Sequence, residues 1–563
     1  MNFDQLLTEH IGEIGPYQIW ILIILSSLGI SAAFSNVNIV FLAAVPEHHC
    51  DVPELWNSTL NLTIDKIRSF SIPLDLENGG YQKCHMYNRD YANLSLSAVE
   101  AWDVNGSDVG LTPCKQWYYD KSRYSTTIVS QWDLVCDKQW MVAFVQSIFL
   151  AGFLAGAMLS GQISDRFGRK YTMIAGMILT LISSIALAFS PNFIVFTILR
   201  FCVAIFSITA YTVGFVFNME VVGPSWRNTA GLSVQYTWAL GYMVLAAVAY
   251  FIRNWSTLQL VLCIPIAIQC ILVFFIPESP RWLYATHKSK SAQAVVKAFA
   301  KSNKRELPEK LLDDITISEE KNEKRNGSSN IFSLFRGPRL RKRTLAMCYA
   351  WFVCSFVYYG LSLSSSSLGG DPFINFLISG GIEIPAYLFT HICFWKVGRR
   401  YPLSFVFFFG GVALFCLLAI PRHMTTVTIV VSMSAKFLIS AGFGMVYNYG
   451  AEVFPTQIRN LGVGTSSTCS RIGGIIAPYV SLLGTYSRFA PSIIFGLVSF
   501  LGGFIVLLLP ETRDRPLPET LEDAERFSKF KPKRNDLNEE NGVSMVPLRS
   551  SEYASSYDDD KHV

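Results

Sequence analysis

The sequence comprises 563 residues, of which 51% are hydrophobic and 16% are charged, and its mean hydropathy is +0.33. This balance argues against a water-soluble enzyme, because soluble domains carry about 25% charged residues. The formal net charge of +5 is small for this length and does not indicate nucleic acid as a partner.

Twelve apolar stretches are long enough to cross a bilayer, since a spanning helix needs about 20 apolar residues. They lie near residues 17–45, 139–160, 171–189, 192–219, 229–252, 256–276, 345–366, 372–394, 402–420, 425–450, 460–482 and 488–509. The first stretch follows an acidic segment without Lys or Arg, which is not the pattern of a cleavable signal peptide. The chain is therefore predicted to be an all-α, multi-pass membrane protein.

Residues 46–138 form a long polar loop after the first span. The loop contains four of the twelve cysteines and four Asn-x-Ser/Thr sequons, namely Cys50, Cys84, Cys114 and Cys136, and Asn57, Asn61, Asn93 and Asn105. Disulfides persist and glycans are added outside the cytosol, so we expect an extracellular, glycosylated and disulfide-bonded loop. Four cysteines allow three pairings, and the sequence does not choose among them.

A second polar segment, residues 277–344, has the opposite charge balance. It holds 16 Lys or Arg against eight Asp or Glu, whereas the 46–138 loop holds eight against thirteen. The positive-inside rule places this linker in the cytoplasm. Twelve spans then put the N-terminus, residues 1–16, and the tail, residues 510–563, on the same cytoplasmic side. From about residue 527 the polar tail is predicted to be disordered.

Three motifs recur after about 230 residues, which indicates an internal repeat. Glu220 and Arg227-Asn228 return as Glu452 and Arg459-Asn460, Gly168-Arg169 returns as Gly398-Arg399, and Pro277-Glu278 returns as Pro510-Glu511. The repeat predicts two six-span bundles, residues 17–276 and residues 345–509. Parallel repeats of this kind place a solute site between the bundles near the bilayer midplane, and rocking of the bundles gives alternating access.

The same motifs carry a family resemblance. The run Gly161-x-x-x-Asp165-Arg166-x-Gly168-Arg169-Lys170 resembles the signature loop of the major facilitator superfamily. Arg200-Phe201, the segment 277–283 and the segment 510–520 are similar to motifs of the organic cation, carnitine and organic anion transporters, and the segment 452–479 is most similar to the carnitine-type branch. The resemblance extends to about residue 525. It implies a major facilitator fold, transport of small organic solutes and sodium coupling without a cofactor.

The resemblance also implies gating by charges at the cytoplasmic helix ends. These gating candidates are Asp165, Arg166, Arg169, Glu220 and Arg227, together with Glu452 and Arg459 of the second copy. They are expected to hold the cytoplasmic side shut while the solute site faces outward. In the second copy Trp395-Lys396 replaces Asp-Arg, so its charge cluster should be weaker or differently built. The alternative is that these charges only anchor helix ends at lipid headgroups.

Two ionisable residues are predicted near the bilayer midplane. Arg471 lies about 11 residues beyond Asn460, roughly 16 Å along a helix, and Glu383 lies about ten residues into the eighth span. Because a charge at this depth costs about 2.5–3.5 kcal/mol, both side chains are candidates for solute binding. Arginine would take a carboxylate, and glutamate would balance a cationic head. Alternatively, they pair with each other, or with Asp371 or Lys436, for helix packing alone.

Aromatic side chains are predicted to receive a cationic head, since a cation over an aromatic face gains roughly 0.5–2 kcal/mol. The candidates at the family's pocket positions are Tyr358, Tyr211, Trp351, Phe153 and Tyr447, and Gln235 adds an uncharged hydrogen-bonding group. Glu452, near Tyr447 and Tyr449, is also a candidate for an electrostatic contribution to sodium coupling.

Together these features predict a polyspecific plasma-membrane transporter of small organic cations and zwitterions of the carnitine kind. We expect it to act as a monomer in the lipid bilayer. The resemblance implies arginine at the Arg471 position in anion and carnitine carriers and an acidic residue in cation carriers. An organic anion exchanger is therefore the alternative, and a non-transporting surface receptor is a more distant one. The sequence shows no paired catalytic groups, no phosphate-binding loop and no spacing of metal ligands, so neither an enzyme nor a bound metal is predicted.

Overall fold

The computed structural model describes residues 3–56, 63–75, 80–91, 110–305, 331–421, 423–455 and 458–513, together with residues 307, 518, 522 and 525. The predicted glycosylation sites Asn57, Asn61, Asn93 and Asn105 lie outside the described residues, as does most of the tail. The described chain is mostly helical.

Six long helices precede the linker. They are α1 (Pro16–Val37, continued by Ile39–Leu42), α2 (Trp140–Phe167), α3 (Arg169–Ala188), α4 (Phe193–Val221), α5 (Arg227–Phe251) and α6 (Trp255–Phe274). The shortest of them has 20 residues. At 1.5 Å per residue this length is about 30 Å, which matches the hydrocarbon core of a bilayer.

Six further helices follow the linker. They are α7 (Pro338–Ser364), α8 (Pro372–Gly381 and Glu383–Lys396), α9 (Arg400–Cys416), α10 (Thr425–Val453), α11 (Arg459–Leu482) and α12 (Ala490–Val506). Within the described residues, ten helical stretches are long and apolar enough to cross a membrane. Helices α11 and α12 lie at the eleventh and twelfth predicted stretches. The first of these is long but polar, and the second is apolar but has only 17 residues.

Short polar side chains start several of these helices. Asn192 accepts a hydrogen bond from the backbone of Val195 at the start of α4, and Asn254 does the same for Ser256 at the start of α6. Asp371 accepts from the first backbone N–H groups of α8. Such caps satisfy donors that have no partner within the helix. The carboxylate of Asp371 is therefore used as a cap.

The described parts of the 46–138 region form a small folded unit at one end of the helices. Its strands pair antiparallel, β1 (His48–Cys50) with β6 (Trp117–Tyr119), β2 (Leu74–Asp75) with β3 (Gly80–Tyr81), and β4 (His85–Tyr87) with β5 (Leu111–Pro113). Short helices cover Pro53–Trp56, Ile64–Ser71 and Ile128–Trp132. The disulfides Cys50–Cys114 and Cys84–Cys136 select one of the three pairings that the sequence left open.

The two ends of the helical bundle carry different segments. We call the end beneath the 46–138 region the loop end, where Arg253 beyond α5 donates to the carbonyl of Ser122 at 2.9 Å. The opposite end, which carries residues 277–305 and 331–337, is the linker end. There the helices Pro280–Ala285 and Ser289–Ser302 pack against the N-terminal turns Leu6–Ile11 around the buried ring of Phe299.

The helices before and after the linker form two bundles that meet along α1, α2 and α5 on one side and α7, α8 and α11 on the other. Direct hydrogen bonds cross this boundary. The hydroxyl of Ser147 on α2 donates to the carbonyl of Ile475 on α11 at 2.7 Å, and Asn36 on α1 donates to the hydroxyl of Tyr359 on α7 at 3.0 Å. The middle of the molecule is therefore an interface between the helices that precede and the helices that follow the linker.

The disulfide pairing is directly testable. After enzymatic deglycosylation, non-reducing peptide mapping is expected to find the peptide of Cys50 linked to that of Cys114, and the peptide of Cys84 linked to that of Cys136. The same peptides should separate on reduction. A major species linking Cys50 to Cys84 or to Cys136 would contradict this arrangement.

Candidate functional site

A central cavity lies between the bundles, with a free volume of about 60 Å³. Residues from both bundles line it, namely Ala32, Phe153, Ile208, Tyr211, Gln235 and Trp238 from the first and Tyr358, Tyr359, Tyr387, Phe443, Tyr447 and Arg471 from the second. Pockets for drug-sized ligands commonly measure about 300–1,000 Å³. Side chains must therefore move apart before an organic solute of that size can occupy the cavity.

Six residues predicted from the sequence meet in this cavity. They are Phe153, Tyr211, Gln235, Tyr358, Tyr447 and Arg471. Trp351 does not line it. Its indole is fully buried behind Tyr447, with ring centroids 4.3 Å apart in an edge-on arrangement. Trp351 thus supports a cavity residue from behind.

Arg471 is the arginine of the cavity wall. Its guanidinium carbon lies 5.8 Å from the centroid of the Phe153 ring on the opposite bundle. Its buried Nε has no hydrogen-bond partner, and among the described residues no carboxylate lies within ion-pair distance. The positive charge of Arg471 is therefore not neutralised by the described chain.

Glu383 occupies a different place from the one predicted. It begins the second segment of α8, is 0% exposed and is not among the residues that line the cavity. Its Oε1 lies 3.2 Å from Nζ of Lys436 on α10. Its two carboxylate oxygens also accept the hydroxyls of Tyr358 at 2.7 Å and of Tyr387 at 3.3 Å. Of the pairings considered for Glu383, the structure contains the one with Lys436.

Four aromatic residues of the cavity were not singled out from the sequence. Trp238, Tyr359, Tyr387 and Phe443 each lie close in sequence to a residue that was predicted. Trp238 is three residues from Gln235, Tyr387 four from Glu383, and Phe443 four from Tyr447. Side chains three or four residues apart share one face of a helix, so helical spacing from Gln235 and Tyr447 could have identified Trp238 and Phe443.

A fully buried arginine lies outside the cavity. Arg200 on α4 is fully buried, its guanidinium carbon lies 4.3 Å from the centroid of the Phe149 ring, and its side-chain nitrogens have no hydrogen-bond acceptor within the described residues. The sequence identified Arg200 only as part of the family motif. It does not line the central cavity, so it cannot replace Arg471 there.

The cavity on the loop side of the molecule is much larger. It has a free volume of about 780 Å³ and is lined by charged side chains of the 46–138 region, by Gln146 on α2 and by Pro478 on α11. The charged residues include Glu47, Asp120, Lys83 and Arg123. At the linker end the bundles instead make contact, since Asn448 on α10 donates to Asn228 on α5 at 3.4 Å.

A network of charged side chains ties the linker end of the first bundle together. Arg169 at the start of α3 contacts Glu220 on α4 at 3.1 Å and Asp165 on α2 at 2.6 Å. The backbone N–H groups of Arg169 and Lys170 donate to Glu278, each at 3.0 Å. Burial raises the pKa of the Glu278 carboxyl above its ordinary value, and these N–H groups oppose that shift by stabilising the charged form.

The second bundle repeats this network. Arg399 contacts Glu452 at 3.0 Å, and the backbone N–H groups of Arg399 and Arg400 donate to Glu511 at 3.0 and 3.1 Å. The hydroxyl of Thr512 donates to Glu452 at 2.5 Å, as that of Ser279 donates to Glu220. The position of Asp165 is taken by Trp395, which is 74% exposed, so the second network has one carboxylate fewer.

A glycine allows each of these networks to form. Gly168 and Gly398 have positive φ angles of 101° and 122° at the turns into α3 and α9. A Cβ atom on Gly168 would lie 2.4 Å from Oε2 of Glu278, and one on Gly398 would lie 2.8 Å from Oε2 of Glu511. Only glycine tolerates both the backbone conformation and the close carboxylate.

The remaining gating candidates are distributed differently. Arg227 contacts Asp4 at 2.5 Å, and Asp4 also contacts Arg281 at 2.7 Å, so the acidic N-terminus joins α5 to the segment after α6. Arg166 is exposed, and among the described residues no carboxylate pairs with it. Arg459 begins α11. Each of the named ion pairs lies within a single bundle. A contact that crosses between the bundles at this end is the hydrogen bond of Asn228 with Asn448.

Among the described residues, no group of three or more His, Cys, Asp or Glu side chains is arranged to hold a metal ion.

Comparison with known proteins agrees with this architecture. Residues 96–523 match the family profile described as "Sugar (and other) transporter". The chain is 36% identical over 552 residues to the "Organic cation transporter protein" of Drosophila melanogaster, covering 97% of this chain and 98% of that protein. It is 37% identical over 540 residues to the "Organic cation/carnitine transporter 2" of Rattus norvegicus, covering 94% and 95%.

A solved structure shares the fold. The partially occluded inward open conformation of the xylose transporter XylE from E. coli covers 89% of this chain and 100% of its own, with a TM-score of 0.59 and 14% sequence identity. At that identity the likeness shows the fold alone. The predicted major facilitator fold is confirmed, and the relatives are membrane transporters rather than enzymes. This chain belongs to the sugar (and other) transporter family of the major facilitator superfamily, among its organic cation and carnitine transporters.

Proposed function

We propose that this transporter carries small organic zwitterions of the carnitine kind, with their carboxylate on Arg471 and their cationic head among the aromatic side chains of the central cavity. The single observation that carries this proposal is the guanidinium of Arg471, which lines the cavity without a carboxylate partner among the described residues. An uncompensated charge inside a membrane protein is costly, and a solute carboxylate compensates it.

The aromatic wall supports a cationic head on the same solute. Tyr211, Trp238, Tyr359 and Tyr447 surround the cavity from both bundles. Trp238 and Tyr211 meet edge-on, with ring centroids 6.2 Å apart. Such an aromatic enclosure favours quaternary ammonium groups through cation–π attraction. The name of the rat relative includes carnitine, a solute that has both charges.

An organic anion exchanger is the second candidate. The charge of Arg471 attracts any carboxylate, whether or not the solute also has a cationic head. Measurements of the uptake of carnitine, tetraethylammonium and p-aminohippurate separate the two functions. A zwitterion transporter prefers carnitine, whereas an anion exchanger prefers p-aminohippurate.

The two charge networks support transport by rocking of rigid bundles. Each network joins helix ends within one bundle, so the bundles can move relative to each other without breaking it. We propose that Arg169, Glu220, Arg399 and Glu452 keep the linker ends rigid while access alternates. This role for Glu452 accounts for its charge better than sodium coupling does, since Glu452 contacts Arg399 at 3.0 Å.

Sodium coupling remains part of the proposal for the transporter as a whole. It follows from the resemblance to the carnitine-type branch, and it is not assigned to particular residues. Replacing sodium with N-methylglucamine in the uptake medium tests it, since a coupled carrier loses most of its uptake. We further propose that the chain works as a monomer.

The charge of the linker and the chemistry of the loop support a plasma-membrane location with cytoplasmic termini. In cells expressing a C-terminally tagged chain, an antibody is expected to reach the tag only after permeabilisation. Peptide N-glycosidase should lower the apparent mass, and removing the sequons at Asn57, Asn61, Asn93 and Asn105 should abolish that shift. Staining of the tag on intact cells would contradict this topology.

The role of Arg471 is tested by Arg471→Gln. Truncating one partner of a buried charge pair costs about 2–5 kcal/mol, so carnitine uptake per surface molecule is expected to fall about 30-fold or more. The control is Arg488→Gln, because Arg488 is exposed and donates to the carbonyl of Ile420, away from the cavity. Carnitine uptake by Arg471→Gln at the level of the control would contradict the assignment.

The role of the charge networks is tested by Arg169→Gln and Arg399→Gln, with Arg166→Gln as the matched control. Each of the first two changes leaves a partly buried glutamate without its partner. A stability loss of about 1–2 kcal/mol lowers cellular abundance several-fold, so we expect less transporter at the surface by biotinylation and slower uptake. Arg166→Gln should resemble the wild type. Equal surface abundance and uptake in all three variants would contradict the proposed role of the networks.

A further inference from the structure

Lys436 is a buried lysine in the middle of the second bundle. It lies on α10, is 1% exposed, and its ammonium lies 3.2 Å from Glu383 and 2.5 Å from the hydroxyl of Ser362 on α7. The same ammonium lies 3.3 Å from the centroid of the Tyr358 ring. The buried ammonium of Lys436 thus contacts a carboxylate, a hydroxyl and an aromatic face.

Both carboxylate oxygens of Glu383 have partners in this arrangement. One carboxylate oxygen accepts from Lys436 and from the hydroxyl of Tyr358, and the other accepts from the hydroxyl of Tyr387. A buried ion pair whose remaining lone pairs are satisfied by hydrogen bonds avoids the cost of an isolated buried charge. The pair has no net charge.

The pair lies directly behind the cavity wall. Tyr358 and Tyr387 both line the central cavity, and both bind Glu383 through their hydroxyl groups. The hydroxyl oxygen of Tyr358 also accepts a hydrogen bond from Trp238 of the other bundle at 3.1 Å. The two charges of the pair therefore lie next to the proposed solute position. The hydroxyl of Tyr358 also links the pair to the interface between the bundles.

We propose that Lys436 is a specificity-determining residue. Its positive charge compensates the negative charge of Glu383. The central cavity is then left with the net positive charge of Arg471, so a bound solute needs a carboxylate to compensate it. This inference rests on the proposed function, because it explains why a cavity with a nearby glutamate favours zwitterions and anions over bare cations. Without Lys436, the charge of Glu383 would act on the solute as well.

A charge cycle over the two residues tests the inference. Lys436→Met gives the pair a charge of −1, Glu383→Gln gives it a charge of +1, and Glu383→Gln combined with Lys436→Met returns it to zero. Lys436→Arg keeps the charge and is the matched control. The measurement is the inhibition of radiolabelled carnitine uptake by tetraethylammonium and by p-aminohippurate, expressed as the ratio of the two inhibition constants and normalised to surface protein.

The ratio is expected to move in opposite directions in the two single variants. Lys436→Met should lower the inhibition constant of tetraethylammonium and raise that of p-aminohippurate, each by about tenfold, and Glu383→Gln should do the reverse. One unit charge at roughly 10 Å and an effective dielectric constant of about 20 has about this effect on a singly charged probe, so the ratio moves by about 100-fold. The double variant and Lys436→Arg should keep the ratio of the wild type. Carnitine should change less than either probe, because it brings both charges.

A role in packing alone predicts a different result. In that case the variants lose surface abundance or maximal rate, while the ratio of inhibition constants stays constant. An unchanged ratio in the single variants, or a double variant that differs from the wild type as much as either single one, would overturn the inference. If Lys436→Met does not reach the surface because Glu383 is left unpaired, Glu383→Gln and the double variant still carry the test.

The outcome can be told apart from a failure of the proposed function. If the wild type does not transport carnitine, or if Arg471→Gln leaves its uptake intact, the proposed function fails. If both of those experiments succeed and the ratio of inhibition constants is insensitive to the pair, only the role of Lys436 fails.

Discussion

The compensation of buried charge is the constraint on which this transporter depends. An ionised side chain inside a membrane protein is costly without a partner of opposite sign or a set of hydrogen bonds, because the surrounding lipid and protein solvate it poorly. Arg200, whose guanidinium lies against the Phe149 ring, lacks such compensation among the described residues, but it does not line the cavity. The ion pair of Glu383 with Lys436 meets this requirement within the described chain, at 3.2 Å and with two tyrosine hydroxyls. Arg471, one helix away, does not. This contrast supports the proposal that a carried carboxylate binds at Arg471.

The two copies of the internal repeat also compensate their charges. At the linker end, each bundle pairs its own arginine with a glutamate. In both copies two successive backbone N–H groups donate to a second glutamate, Glu278 or Glu511. Because these pairs are complete within a bundle, relative motion of the bundles need not expose a bare charge there. The contacts that must change lie at the boundary, where Asn36 meets Tyr359 and Trp238 meets Tyr358. Tyr358, Tyr359 and Trp238 line the cavity, so we expect solute binding and bundle movement to involve the same side chains.

Much of this architecture could be predicted from the sequence, because its signals are local. Runs of apolar residues predict helices, and the recurrence of Glu220 and Arg227 as Glu452 and Arg459 predicts two bundles. Helix α11 was also predicted, although Arg471 and several Ser and Thr residues make it polar, and of these residues Arg471 lines the cavity. The disulfide pairing and the partner of Glu383 could not be predicted. Both depend on distances between segments far apart in the sequence, and Lys436 is separated from Glu383 by 53 residues. The role of Asp4 was missed for the same reason, because Arg227 and Arg281 meet it only in the folded bundle.

The most direct test of the account is a structure of the protein with carnitine bound. The account predicts the carboxylate within hydrogen-bonding distance of the Arg471 guanidinium and the trimethylammonium group against the aromatic side chains from both bundles, with the ion pair of Glu383 and Lys436 still intact. A carboxylate placed away from Arg471, or a trimethylammonium group that displaces Lys436 from Glu383, would contradict it.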